Sequence, residues 1–117
     1  MQSLWLQAHI KGIILMASAE PKAKIRPNVA LQEPPLFRVI YMNDDYTSME
    51  FVIDSLCEYF NYNPDTAAQI THDVHEHGSA IVAVLPFEIA EQKGIEVTLD
   101  ARANGYPLQI KVEAESD

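Results

Sequence analysis

Residues 36–53 read LFRVIYMNDDYTSMEFVI, and this stretch decides the fold. Its opening residues, 36–42, are rich in β-branched and aromatic side chains, which predicts a strand that the polar segment 43–45 ends. Thr47 and Glu50 then have the spacing of a capping box with Thr47 as the N-cap, and the apolar residues that follow recur at helical spacing. A strand, a short polar loop and a helix therefore follow one another directly.

The next segment carries a second set of helix signals. Asn63-Pro64 places an N-cap residue before a proline at the first helical position, and Gly78 provides a left-handed stop, which together predict a second helix. Residues 79–85 form a short, continuously apolar run. Such a run predicts a strand that is covered on both faces.

A third helix and a last strand complete the pattern. Pro86 opens the helix and Gly105 closes it, while Gly94 inside it predicts a packing or hinge requirement, because glycine weakens a helix interior. Residues 108–113 alternate between apolar and polar types, as in a half-exposed strand. The predicted fold is a small two-layer α/β (α+β) domain of order β-α-α-β-α-β, with a three-stranded sheet and three helices.

Composition limits the class of protein. The chain has 117 residues, 48% of them hydrophobic, which suits one domain with a modest core. Its net charge of −9 would repel phosphate backbones, so we expect no nucleic-acid partner. The single cysteine, Cys57, suits a reducing compartment, and no apolar run approaches the ~20 residues of a membrane span. We therefore expect a cytoplasmic protein without a membrane partner.

The N-terminal region differs from the rest of the chain. Residues 17–35 are rich in Ala, Lys and Pro and lack a helical or strand period, so we expect residues 1–35 to be a flexible extension before a core domain at 36–117. Residues 1–15 make a poor signal peptide. Met16 provides a second start, and the sequence leaves open whether residues 1–15 are translated.

Two polar clusters are candidate sites. Asn43, Asp44 and Asp45 carry acceptor oxygens that would suit a cation, although residues of this kind also populate ordinary turns and helix caps. Segment 72–77, HDVHEH, has residue types that bind zinc. On a helix, however, His77 lies about 140° from His72 at about 100° per residue, and no HExxH pattern is present. We expect no metal and no cofactor.

Signatures of enzymes are missing from the sequence. It contains neither a glycine-rich phosphate loop nor a GxSxG elbow. Cys57 falls at helical spacing beside Ile53, Leu56 and Phe60, which indicates a small core residue rather than a nucleophile. We therefore expect a protein that is not an enzyme.

Residues 39–52, VIYMNDDYTSMEFV, closely resemble the signature of the ClpS adaptor family. The similarity continues in register through Val74-His75, Gly78, segment 88–93 (EIAEQK) and Pro107-Leu108, and it covers about residues 35–113. This resemblance implies the β-α-α-β-α-β fold. It also implies a non-enzymatic adaptor that delivers N-degron substrates, proteins marked for degradation by their first residue, to the ATP-dependent Clp unfoldase-protease.

The resemblance also implies a substrate site. An α-ammonium group carries only hydrogen-bond donors, and Asn43, Asp45 and His75 would accept from it, with Asp44 ranked behind them as a source of charge or as a support for the loop. The first side chain of the substrate, Leu, Phe, Tyr or Trp, would enter an apolar pocket that has threonines at its polar edge. The implied pocket residues are Thr47, Met49, Val52, Thr71, Val74 and Leu108.

Other positions bear on partners and on selectivity. By resemblance, Glu88 and Lys93 would dock on the N-terminal domain of a Clp AAA+ unfoldase of ClpA or ClpC type, although an ordinary solvated helix face explains the pair equally well. The arm before Pro35 would be the delivery segment. Thr71 stands where the family commonly has methionine, so the preference for the first side chain of the substrate is open. Ser48 stands where the family commonly has proline, and we expect the function to survive that change.

Two other classes of function stay open from the sequence. One is a metal-binding regulatory protein that uses His72, His75 and His77, and the other is a structural module like that of the ribosomal stalk. Neither of them requires a site for a free N-terminus. A binding assay with a Phe-initiated peptide therefore separates the adaptor from both alternatives, and metal analysis separates the metal-binding protein from the structural module.

Overall fold

The computed structural model describes residues 34–115. The predicted N-terminal extension lies outside the described residues, apart from Pro34 and Pro35. The elements are β1 (Leu36–Met42), α1 (Met49–Phe60), α2 (Pro64–His77), β2 (Ser79–Pro86), α3 (Phe87–Ala103) and β3 (Gln109–Ala114). Their order confirms the predicted β-α-α-β-α-β fold.

The three strands form an antiparallel sheet of order β2-β1-β3. The central strand β1 buries Val39 and Tyr41 completely, and the Tyr41 hydroxyl shares a 2.7 Å hydrogen bond with the hydroxyl of Ser55 on α1. Burial raises the pKa of Tyr41 well above its ordinary value, so the phenol stays neutral. This contact fixes the height at which α1 crosses the sheet.

Strand β2 corrects one prediction. The apolar run at 79–85 predicted a strand covered on both faces, but β2 is an edge strand in which 51% of Ile81 is exposed. The register shifts between Val39 and Ile40, which leaves Val82 without an opposite residue, and the hydroxyl of Tyr62 donates to the Val82 carbonyl. An apolar run alone does not distinguish a central strand from an edge strand.

The first helix begins one residue later than the capping box predicted. Ser48 is the N-cap, and its Oγ accepts a hydrogen bond from the backbone N of Phe51 at 3.0 Å. Thr47 does not fill this role, because its side chain is directed to the Asp44 carboxylate, to which its hydroxyl donates at 2.8 Å. The Asp44 carboxylate draws Thr47 into the loop, and the cap passes to the next hydroxyl-bearing residue.

Replacing the observed cap tests this correction. We expect Ser48→Ala to lower the free energy of unfolding by about 0.5–2 kcal/mol, because the N–H of Phe51 loses its side-chain acceptor. Ser48→Asp keeps an acceptor at the same position and is the matched control. Urea denaturation measures both variants, and an unfolding free energy of Ser48→Ala equal to that of the wild type would return the N-cap to Thr47.

Helix α3 lies close to β3 at Gly94. A Cβ atom at Gly94 would lie 3.6 Å from the Cγ2 atoms of both Ile110 and Val112, so the helix backbone approaches the sheet at this point. Because 3.6 Å is an ordinary van der Waals distance, an alanine would also fit here, so this contact does not supply the packing requirement that an internal glycine predicted. From the last turn of the helix, Arg102 donates to the carbonyls of Tyr106 and Leu108 at 2.9 and 2.8 Å, which orders the segment that leads to β3.

Candidate functional site

A concave site lies where the loop after β1, the start of α1, the second half of α2 and the residue before β3 converge. The cavity encloses about 210 Å³ and combines polar groups with apolar side chains. It is lined by Met42, Asn43, Asp44, Asp45, Thr47, Met49, Val52, Thr71, Val74, His75 and Leu108.

The polar side of the cavity is organised by Asp44. One carboxylate oxygen accepts from the backbone N–H groups of Tyr46 and Thr47, each at 2.7 Å, and the other accepts from the Thr47 hydroxyl at 2.8 Å. Burial raises the pKa of Asp44, but the hydrogen bonds from Thr47 and Tyr46 and the charge of Arg102 outweigh this effect, so the pKa lies below its ordinary value. Asp44 is therefore ionised at neutral pH, and it holds the loop in shape.

The loop is also tied to the end of α2. The backbone N–H of Asn43 donates to the carbonyl of Gly78 at 2.9 Å, and the N–H of Gly78 donates to the carbonyl of Val74 at 2.9 Å. Gly78 has a φ of 87°, a conformation that glycine adopts without strain. These bonds hold Asn43 and Asp45 beside the turn of α2 that carries Val74 and His75.

The apolar side is built from side chains that also belong to the domain core. Val52, Val74 and Leu108 are buried, so their positions are set by packing and do not depend on a ligand. Met49 is exposed at the first turn of α1 and forms a flexible edge of the cavity. A rigid apolar floor thus lies beneath an exposed rim of acceptors.

Thr71 differs from its expected position at a polar edge. It is 2% exposed, and its hydroxyl donates to the Ala67 carbonyl one turn earlier at 2.7 Å. The donor of this hydroxyl is therefore already used within α2. Thr71 contributes a small side chain to the wall, where a longer one would occupy part of the cavity.

The structure brings all the predicted amine-binding and pocket residues around this one cavity, and their binding roles stay predictions. Met42, the last residue of β1, also lines the cavity and was not among the predicted residues. Its position directly before Asn43 was the available signal. An apolar residue at the end of a strand, however, is more often assigned to the sheet.

The two predicted docking residues differ in exposure. Glu88 is exposed on the first turn of α3, whereas Lys93 is only 7% exposed and its Nζ lies 3.7 Å from a carboxylate oxygen of Glu96. An ordinary solvated helix face therefore does not describe Lys93. Most of its side chain packs inside the domain, and the ammonium group reaches the surface beside Glu96.

The three histidines of α2 do not belong to a candidate metal site in the part of the chain that the structure describes. His72, His75 and His77 are all exposed. Within residues 34–115, no three His, Cys, Asp or Glu side chains are grouped so that they could hold a metal ion. In the same range, no helix has the length and apolar character needed to cross a membrane.

Comparison with known proteins adds family information to this geometry. The family model described as ATP-dependent Clp protease adaptor protein ClpS matches residues 32–111. The chain belongs to the ClpS family. ClpS proteins are adaptors of the Clp protease and not proteases themselves, so family membership implies interaction with components of that protease.

Individual ClpS proteins show the extent of the similarity. The ClpS adapter of Clostridium acetobutylicum is 45% identical over 86 residues, which cover 74% of this chain and 85% of the relative. That of Cronobacter sakazakii is 46% identical over 84 residues, covering 72% of this chain and 79% of the relative. The solved structure of Agrobacterium tumefaciens ClpS2 bound to L-phenylalaninamide superimposes with a TM-score of 0.69 at 38% identity, over 71% of this chain and 100% of that one.

Proposed function

We propose that this ClpS-family chain binds the free α-amino group and the bulky hydrophobic first side chain of N-degron substrates, Leu, Phe, Tyr or Trp. It then delivers them to a Clp AAA+ unfoldase of ClpA or ClpC type, in the cytoplasm and without catalysis of its own. The observation that carries the proposal is the single cavity in which an acidic, acceptor-rich loop borders an apolar floor.

The loop fits an ammonium group. Such a group carries donors only, so it needs acceptors wherever it loses water. Asn43, Asp45 and His75 are the acceptors we assign to it. Asp44 already accepts three hydrogen bonds from the loop, so its contribution is the negative charge and the loop shape.

The floor fits one apolar side chain. Burying a Leu or Phe side chain against Val52, Val74 and Leu108 contributes about 1.5–3 kcal/mol. Charge-assisted hydrogen bonds to the amine contribute a similar amount, about 1.5–3 kcal/mol. Neither contribution alone gives useful affinity, so both the amine and the side chain are read.

A solved relative supports this pairing of groups. The A. tumefaciens ClpS2 structure contains L-phenylalaninamide, a small molecule with a free α-amine and a benzyl side chain. Neither a metal-binding protein nor a stalk-like module requires hydrogen-bond acceptors beside an apolar floor.

Docking and delivery involve other parts of the chain. We assign unfoldase docking to the surface of α3 that presents Glu88 and the charged end of Lys93, and delivery to the segment before Pro35. Glu88 is exposed and can interact with an N-terminal domain, whereas Lys93 is only 7% exposed.

A fluorescence titration with two labelled peptides tests the proposed function. The peptides share every residue after the first, which is Phe in one and Ser in the other. We expect the Ser-initiated peptide to bind about 10- to 160-fold more weakly, because its side chain buries little apolar surface and loses the about 1.5–3 kcal/mol that a Phe side chain contributes. Equal affinity for both peptides would remove the side-chain pocket from the proposal.

A further inference from the structure

A second apolar surface lies between α3 and β3, and it shares no residue with the proposed substrate cavity. This α3/β3 groove encloses about 380 Å³ and has Gly94, Ile95 and Leu99 on the helix side and Ile110 and Val112 on the strand side. Ile95 is 54% exposed and Leu99 65% exposed. Exposed apolar side chains grouped beside a groove are typical of an interaction surface.

The outer edge of β3 offers backbone groups beside the groove. Within residues 34–115, β3 pairs with β1 alone. The N–H of Glu115 donates to the carbonyl of Leu36, and Phe37 lies opposite Ala114, so the alternation of an antiparallel ladder directs the backbone groups of residues 111 and 113 towards β1. The N–H and C=O groups of Ile110, Val112 and Ala114 therefore point to the open edge.

The charges on this edge suit a second copy of the same strand. If two β3 strands pair antiparallel with Val112 opposite Val112 of the second copy, Lys111 lies opposite Glu113 of that copy and Glu113 opposite its Lys111. These are non-hydrogen-bonded positions of the ladder, where opposite side chains are closest. Lys111 and Glu113 are both exposed and lie 3.2 Å apart within one chain, so the four charges would alternate in sign.

The apolar side chains of β3 and α3 are also placed so that they would support this pairing of two copies. Val112, Ile110 and Ala114 supply the hydrogen-bonded positions, and the side chains of Ile110 and Val112 face α3. A two-fold axis perpendicular to the sheet keeps the α3 helices of both copies on one face. Ile95 and Leu99 of each copy then approach the other helix across the axis, which covers the α3/β3 groove.

We propose that a second copy of this chain binds along the outer edge of β3 and forms a symmetric dimer with a continuous six-stranded antiparallel sheet. Its interface is isologous, because the same residues contribute from both sides. The net charge of −9 on each copy opposes association. The dimer is therefore expected to form with a dissociation constant between about 1 μM and 1 mM.

Charge-reversal variants of the full chain test the pairing by sedimentation velocity. Lys111→Glu places Glu opposite Glu, and Glu113→Lys places Lys opposite Lys, so each variant alone should dimerise about tenfold more weakly than the wild type. An equimolar mixture of the two restores opposite charges in both pairs and should recover the heterodimer. The double variant Lys111→Glu/Glu113→Lys should dimerise with itself like the wild type.

Two further variants test whether the changes in dimerisation come from this interface or from the net charge of the chain. Glu58→Lys on the exposed surface of α1 makes the same charge change as Glu113→Lys and should leave the dimer unchanged or slightly stronger. Leu99→Gln, at a position that is 65% exposed in the monomer, should weaken dimerisation. A wild-type chain that stays monomeric up to about 1 mM overturns the proposal, and so does a dimer that the charge reversals, their mixture and Leu99→Gln all leave unchanged.

Discussion

N-acetylation of a Phe-initiated peptide is expected to weaken its binding by about 2–5 kcal/mol relative to the same peptide with a free N-terminus. Acetylation removes the positive charge and two of the three donors of the ammonium group. The carboxylate of Asp45 and its neighbours would then be desolvated without a charged partner. Because Asp44 stays ionised and anchored in the loop, the acidic rim cannot withdraw from the neutral amide.

The measurement is a fluorescence titration of the two peptides at neutral pH, where the free amine is largely charged. A peptide amidated at its C-terminus but free at its N-terminus is the matched control, because it changes the charge at the end that lies away from the cavity. We expect this control to bind like the parent peptide. If the acetylated peptide bound as tightly as the free one, amine recognition at this loop would be wrong, even if the apolar pocket were correct.

Much of this site could be predicted because its residues are close in sequence or carry local signals. The strand, the Asn43-Asp44-Asp45 loop and the helix start occupy one continuous stretch, and each has a side-chain chemistry that favours its conformation. Gly78 and Asn63-Pro64 likewise mark the ends of α2 through their own backbone preferences. The resemblance then indicated which more distant residues join the cavity: Thr71, Val74, His75 and Leu108.

The predictions that were wrong or missing concern features that are decided by tertiary contacts and not by local sequence. Thr47 has the residue type of an N-cap, but its hydroxyl donates to Asp44 in the folded loop. Only the folded structure shows that Ser48, and not Thr47, accepts from the first turn of the helix. The apolar run of β2 gave no information about its place in the sheet order, which depends on how β3 returns to β1. The resemblance assigned Lys93 to a docking surface, whereas only 7% of this residue is exposed in the folded domain.

The selectivity of the pocket depends on Thr71. Because Thr71 is buried, a change in its volume is transmitted to the cavity or to the core. Its hydroxyl proton is used in the bond to Ala67, so the hydroxyl does not donate to a ligand. Thr71→Val removes the hydroxyl at nearly constant volume and is therefore the matched control. We expect this variant to retain the wild-type ratio of affinities for Leu- and Phe-initiated peptides.

Thr71→Met is expected to tighten binding of Leu-initiated peptides relative to Phe-initiated ones by about 1–3 kcal/mol, the size of a change of one methylene in an apolar pocket. A compact Leu side chain leaves part of the 210 Å³ cavity empty, and a flexible methionine can fill that space, whereas an aromatic ring already reaches across it. Overpacking opposes this gain by about 1–3 kcal/mol if the longer chain cannot enter the cavity, so thermal unfolding of the variant must be measured beside the titrations. A folded Thr71→Met variant with an unchanged ratio of Leu to Phe affinities would show that Thr71 does not set the volume available to the first side chain.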